Sequence, residues 1–189
     1  MILAVNGVSK SFGGLQAVLD ASLEVEEGRI VSLIGPNGAG KTTLFALITG
    51  FHKPDSGSVL FNGADITGQA PETIAGLGMV RTFQIVQPFA GQTVRDNIAV
   101  GAHLHRARRR DALAKAEEVA RRVGLADRLD QDAASLTVAG RKRLEVAKAL
   151  ATDPKLILLD EVMAGLNPSE VRDVIPIIKA IRDTGITIV

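Results

Sequence analysis

The stretch Gly35-Pro36-Asn37-Gly38-Ala39-Gly40-Lys41-Thr42 constrains this chain more than any other. It matches G-x-x-x-x-G-K-[ST] and stands between an apolar segment, Arg29-Ile30-Val31-Ser32-Leu33-Ile34, and the helix-like run Thr42-Thr43-Leu44-Phe45-Ala46-Leu47-Ile48. Glycines let such a loop wind tightly, so that successive backbone N–H groups point at phosphate oxygens where a helix N-terminus already favours negative charge. In this pattern Lys41 bridges the β- and γ-phosphates of a nucleotide and the Thr42 hydroxyl coordinates Mg²⁺, with residues 35–43 (Gly35, Pro36, Asn37, Gly38, Ala39, Gly40, Lys41, Thr42 and Thr43) as the cradle. A strand that hands such a loop to a helix predicts an α/β fold with a parallel sheet.

A second segment supplies what the loop lacks. Leu156-Ile157-Leu158-Leu159 is apolar throughout, as a strand buried on both faces of a parallel sheet must be. It delivers Asp160 and Glu161 at its C-terminal end, where ligands gather in open α/β sheets. Asp160 is placed to hold Mg²⁺ through water, and Glu161 to polarise the water that attacks a γ-phosphate. Short apolar segments separated by turns make the first 34 residues strand-like, and Val59-Leu60-Phe61 runs into an Asn62-Gly63 hairpin turn. Between Gly91 and Gly124 the pattern turns helical, with Leu113, Ala116, Ala120 and Val123 along one face, and another helix follows Leu136. Asn167-Pro168-Ser169-Glu170 opens a further helix with a capping box, which Pro176 should kink and Gly185 should end before a strand at Ile186–Val189.

With 189 residues, 46% of them hydrophobic, and no cysteine, the chain has material for one globular core and none for disulfides or thiolate metal sites. A formal net charge of +1 provides no global field for nucleic acid, and the basic run from His105 to Arg110 reads as a solvated helix start. His52, His103 and His105 read as surface histidines. No apolar run approaches the about 18 residues that a spanning helix needs, so a cytoplasmic location is expected.

These motifs together resemble the nucleotide-binding subunits of ABC transporters, over essentially the whole chain, which implies a place peripheral on the inner face of a membrane. The resemblance implies a P-loop NTPase core with an N-terminal antiparallel β-subdomain and an inserted helical subdomain near residues 85 to 150, all within one ABC ATPase domain spanning 1–189. It places Phe12, with Ala17 beside it, against adenine. Gln84, in Arg81-Thr82-Phe83-Gln84, becomes the residue that senses the γ-phosphate, joins the Mg²⁺ ligands and touches the membrane partner. Leu136 to Glu145 aligns with the ABC signature, so Thr137, Ala139 and Gly140 would contact ATP held by the opposite subunit, and Ala164-Gly165-Leu166-Asn167 matches the D-loop.

The finer likeness, through Pro88-Phe89, Thr93 to Ile98, Arg143-Leu144-Glu145 and Ala164 to Pro168, is to ATPases of branched-chain amino acid importers. It implies ATP and Mg²⁺ as cofactors and transmembrane permease subunits as partners, with a second ATPase subunit, identical or homologous, and indirectly a substrate-binding protein. Nucleic acid is not among them. ATPases of related urea or amide importers are the neighbouring alternative. A P-loop kinase would need neither Gln84, a signature nor a D-loop.

Three departures from the family pattern stand out. Val138, Ala139 and Gly140 replace the usual Gly-Gly-Gln of the signature, and Val138 would be uncomfortable if its position required positive φ. Val162 replaces a common proline after Asp160-Glu161. In the family the last strand is followed by a switch histidine and further sheet, so the resemblance implies a C-terminally truncated chain in which ATP binding outlasts hydrolysis.

Overall fold

The protein, analysed as a computed structural model, is described over residues 1–83 and 87–189. Strands β1 (Leu3–Phe12) and β2 (Leu15–Val25) pair antiparallel across a Gly13-Gly14 turn, and β1 pairs on its other edge with β3 (Ser56–Phe61). A two-residue turn joins β3 to β4 (Ala64–Asp65), closing a sheet of order β2-β1-β3-β4. Asn62 and Gly63 both take positive φ there, 50° and 77°, the type I′ geometry whose twist suits a hairpin and which the Asn-Gly pair predicts.

Helix α1 (Lys41–Ile48) drives Leu44 to Ile48 into the core, among Ile2, Leu3, Val5, Val59 and Phe61. Helix α2 (Pro71–Leu77) begins with a proline whose missing N–H costs nothing at that position. It leads into β5 (Met79–Arg81), which pairs in parallel with β6 (Leu156–Leu158), itself parallel to β7 (Thr187–Ile188). The central strand β6 is buried along its whole length, as its uninterrupted apolar sequence predicts. Residues Met1–Arg81, Lys155–Leu158 and Gly185–Val189 make up this first unit.

The apolar run Arg29–Ile34 departs from its reading as a regular strand. It makes one isolated parallel bridge, Ile30 to Ile188, with Val31 N–H donating to Ile188 O and Ile188 N–H to Arg29 O, each at 2.9 Å. Beyond that bridge Ile34 is 90% exposed. An apolar run becomes a strand only as far as a neighbouring backbone accepts its hydrogen bonds, and here that neighbour engages Arg29 to Val31 alone.

The second unit comprises Thr82–Pro154 and Leu159–Thr184. Its helices α3 (Val94–Ala102), α4 (Arg109–Val123) and α5 (Val138–Ala151) pack on one another through small side chains, Ala99, Ala102, Ala112, Ala116, Ala120, Ala147 and Ala151 among them. Gly101 carries this close approach, because a Cβ there would stand 2.3 Å from Lys148 O. The buried face of α4 is Ala112, Ala116, Val119, Ala120 and Val123, one residue turned from the predicted stripe at Leu113.

Helix α6 (Pro168–Asp183) starts on the full capping box: the Asn167 side chain accepts from the Ser169 and Glu170 N–H groups, and Glu170 accepts from the Asn167 N–H, all at 2.9 Å. The helix runs on through Pro176, the position where a kink is expected, and buried Val174 before it and Ile178 and Ile181 after it anchor both halves. Among the described residues no helix is long and apolar enough to cross a membrane.

Asp153 ties three parts of the second unit together by accepting from Arg106 at 2.6 Å and Lys115 at 2.9 Å. Burial alone would raise its pKa, but the hydrogen bonds and charges of Lys115 and Arg106 outweigh it and hold the carboxyl below its usual 3.8. A carboxyl depressed in the folded state stabilises fully above its unfolded value and loses that contribution as pH falls through the folded value. Thermal stability followed from pH 6 downward should therefore fall below about pH 4 less steeply in Asp153→Asn than in the parent. In the first unit, Gly57 has φ +85 and room for no Cβ, since one would meet Gly7 O at 2.4 Å, whereas Gly14 has open space. Gly57→Ala should lower the melting temperature by several degrees and Gly14→Ala by about a degree at most in the same calorimetric comparison.

Candidate functional site

The phosphate-loop residues lie in the first unit, on a turn that only glycine permits at two points. Gly38 and Gly40 have φ of 82° and 83°, in the left-handed region. At Gly38 the dihedral alone imposes the requirement, because a Cβ there would meet open space. Gly40 is constrained twice, since a Cβ on it would stand 2.3 Å from Ala17 O on β2. The same contact sets Ala17 directly against the start of α1, so two segments far apart in sequence are joined at a backbone-to-backbone touch. Gly35 has ordinary φ, with its nearest prospective contact at 3.3 Å from the Ala39 Cβ.

Helix α1 begins at Lys41 with no side-chain cap on Gly40 and no acidic residue in its first turn. Its leading N–H groups, those of Lys41, Thr42 and Thr43, are therefore the donors that an anion at a helix N-terminus uses. The loop closes on itself through Ala39 N–H to Pro36 O at 3.2 Å, and the Lys41 ammonium donates to Gly35 O at 2.7 Å and Pro36 O at 2.9 Å. Pro36, Asn37 and Thr42 are exposed.

Phe12 ends β1 at the same unit's surface, half open to solvent. Its ring meets His52 edge to face at a centroid distance of 5.1 Å, and the Lys10 ammonium lies 5.6 Å from its centre. His52, read from sequence as a plain surface residue, is exposed but has this ring contact. Lys10 also pairs with Asp55 at 2.6 Å, and this hydrogen bond, with a second from the Ser11 N–H, holds the Asp55 carboxyl below its usual range. These bonds fix the end of β1, and with it the aromatic platform.

The carboxylates lie in the second unit. Asp160 is only 4% exposed, and its N–H donates to the hydroxyl of buried Thr82 at 3.1 Å. Glu161 is half-buried and takes φ +49, a left-handed conformation unusual for a residue with a long side chain. Its carbonyl accepts from the Ala164 N–H at 2.9 Å and from the Lys142 ammonium at 3.1 Å. Thr82 and Lys142 escape sequence reasoning, because nothing in the local pattern of either announces a partner 78 or 19 residues away.

Thr137 is the N-cap of α5, its Oγ1 accepting from the Gly140 N–H at 3.2 Å. The hydroxyl keeps its own proton to donate. Val138 is the first helical residue and has no positive φ, so replacement of glycine there brings no backbone strain, and its side chain is exposed. Ala139 and Gly140 are buried. Gln84 lies outside the described residues. Asn97, quoted above within Thr93 to Ile98, is fully buried: it accepts from the Phe89 N–H at 2.8 Å and donates to Thr93 O at 2.9 Å. Lys148, paired with buried Glu145 at 2.7 Å, stands 5.1 Å from the Phe89 ring centre.

The oxygen donors Thr42 and Asp160, a hydroxyl and a carboxylate, are of the hard type that Mg²⁺ takes. No cluster of three or more His, Cys, Asp or Glu suited to a metal occurs among the described residues. Gly40→Ala should abolish measurable nucleotide binding in equilibrium titration, while Gly35→Ala, with far milder crowding, should retain binding within about tenfold.

Comparison with known proteins agrees with this chemistry. The family model described as "ABC transporter" matches residues 18–164. The high-affinity branched-chain amino acid transport ATP-binding protein LivG of Salmonella typhimurium is 40% identical over 197 residues, covering 96% of this chain and 77% of that protein. BraF of Pseudomonas aeruginosa, of the same description, is 39% identical over 196 residues with the same coverage. Among solved structures, a nucleotide-free ATP-binding cassette from an ABC transporter superposes with a TM-score of 0.90 at 32% identity, over 99% of this chain and 79% of that one. A second cassette, in its ADP conformation, gives a TM-score of 0.89 at 33% identity, again over 99% of this chain and 79% of its own. With the P-loop, the N-terminal antiparallel sheet and the helical subdomain all present, the chain belongs to the ABC transporter family, as an ATP-binding subunit.

Proposed function

We propose that this subunit binds and hydrolyses ATP to drive import of branched-chain amino acids through a transmembrane permease. The observation that carries the nucleotide chemistry is the P-loop itself, with an uncapped helix N-terminus, two left-handed glycines and Lys41 beside them. The solute class rests on the LivG and BraF relatives.

In this reading the N–H groups of Gly38 to Thr43 and the Lys41 ammonium bind the phosphates, with Phe12 and Ala17 beside the adenine. Thr42, Asp160 and Gln84 would hold Mg²⁺, which would supply positive charge to the phosphates. Glu161 accepts hydrogen bonding from the water that attacks the γ-phosphorus, orienting it in line with the leaving oxygen. Lys41 stabilises the charge that builds up on the transferred group. Thr137, Ala139 and Gly140 belong to the segment that faces the nucleotide of a second ATPase subunit, with the Thr137 hydroxyl, whose own proton remains to donate, as its contact. Closure of that pair is a population shift toward the state with higher ATP affinity, passed to the permease through Gln84 and the helical subdomain.

Phosphate release and equilibrium MgATP binding, measured on one preparation, test the nucleotide roles. Lys41→Ala should lose MgATP affinity by about a hundredfold or more, whereas Glu161→Gln should keep affinity and lose turnover by about 10² to 10³. Equal affinity in Lys41→Ala and parent would refute the P-loop assignment. The solute class is read by uptake of labelled leucine, isoleucine and valine in cells whose own branched-chain importer ATPase has been deleted. Restored uptake of urea or an amide instead would move the subunit to that importer class.

A further inference from the structure

We infer that Lys142 is a positioning residue for Glu161, tying the carboxylate that would orient the attacking water to the helix that begins at the signature segment. The inference rests on the nucleotide reading above for its functional meaning, and on the following geometry for its mechanics. Lys142 is 7% exposed, an unusual burial for an ammonium, and its Nζ donates to Glu161 O at 3.1 Å. Lys142 also lines a small cavity with Val123, Arg143, Val146, Val162, Val174 and Ile178.

The target is equally specific. Glu161 sits at φ +49, a backbone state that a glutamate keeps only where its neighbours impose it. Its carbonyl accepts from Ala164 N–H and from Lys142 Nζ, which together lock the turn leaving Glu161. On the preceding residue, Thr82 Oγ1 accepts the Asp160 N–H. The Asp160-Glu161 dipeptide is thus pinned at its N–H end by a residue just before Gln84 and at its C=O end by a residue of α5.

Thr137 caps α5 and Lys142 lies five residues later on the same rigid element. Whatever displaces Thr137 to Gly140 moves Lys142 with it, and the Glu161 carbonyl follows. Under the reading above, the object that engages Thr137 is the nucleotide of the second subunit. Lys142 therefore makes the aim of one subunit's carboxylate depend on whether the other subunit's nucleotide is in place.

The test uses the full chain with Lys142→Met, which keeps the stem and removes the donors, Lys142→Arg, which keeps a cationic donor, and Lys41→Ala as the blank. Hydrogen exchange without nucleotide, resolved at Val162 to Ala164, should speed up by about tenfold or more in Lys142→Met and return toward the parent in Lys142→Arg. With MgATP, Lys142→Met should lower kcat by about tenfold or more at unchanged KM, MgATP affinity and melting temperature, and Lys142→Arg should recover most of it. A merely structural lysine would move the melting temperature and leave kcat per folded molecule intact. Exchange at Val162 to Ala164 equal to the parent, or a fall in kcat that Lys142→Arg does not relieve, overturns the inference. If Lys142→Met does not fold, Lys142→Gln carries the same comparison. Should the parent bind MgATP no better than Lys41→Ala, the nucleotide reading fails, while the exchange comparison still decides the mechanical link.

Discussion

The backbone contact between Gly40 and Ala17 is the constraint on which the rest of the first unit depends. A residue with φ +83 and a carbonyl where its Cβ would be admits one amino acid only. That contact sets where α1 starts, and Leu44 to Ile48, buried behind it, hold the helix in the core. The loop before it is therefore delivered by packed structure rather than by its own bonds, which are few. A binding loop mounted this way keeps its donors in place before any ligand arrives. β2, which provides the contacting carbonyl, also pairs with the strand that ends at Phe12, so Gly40 and Phe12 are both placed by one sheet.

The second unit gains its definition differently, through buried polar groups with assigned partners. Asn97 holds the loop at Phe89 and Thr93, and Thr82 and Lys142 grip the two ends of the Asp160-Glu161 dipeptide, while Asp153, itself exposed, gathers Arg106 and Lys115. Buried polar networks of this kind specify one arrangement sharply, because any alternative leaves a desolvated group without a partner. Helices packed on alanines supply the close spacing that such short reaches need.

What the sequence made legible was local chemistry. The loop at Gly35 to Thr42, the Asn62-Gly63 turn and the Asn167 to Glu170 capping box each declare themselves within a few residues, because the physics behind each acts over that distance. Burial of β6 was legible from four consecutive apolar residues. Arg29 to Ile34, interrupted by Ser32, also reads as a strand but pairs only at Ile30, since a ladder depends on a neighbour that the pattern cannot see. The continuity of α6 through Pro176 is likewise decided by the tertiary anchoring of its two halves. Thr82 and Lys142 stayed hidden for the same reason, and a lone lysine in a basic stretch, Arg141-Lys142-Arg143, reads naturally as solvated. Glu161 could be named as a carboxylate of interest, but its left-handed backbone follows from no property of glutamate.

An uncapped α1 also means that a nucleotide bound at its N-terminus would act as a folding ligand. Helices α3, α5 and α6 bring their own caps in Thr93, Thr137 and Asn167, while α1, like α2 and α4, has none from a side chain, and its N-cap is a glycine. Phosphate oxygens would complete for α1 what a serine or aspartate completes elsewhere, so part of the first unit's secondary structure is finished by a small molecule. By mass action, a ligand at a hundred times its dissociation constant adds about 2.7 kcal/mol to the folded state. The adenylate energy level of the cell would then bear on how long this subunit survives, as well as on how fast it works.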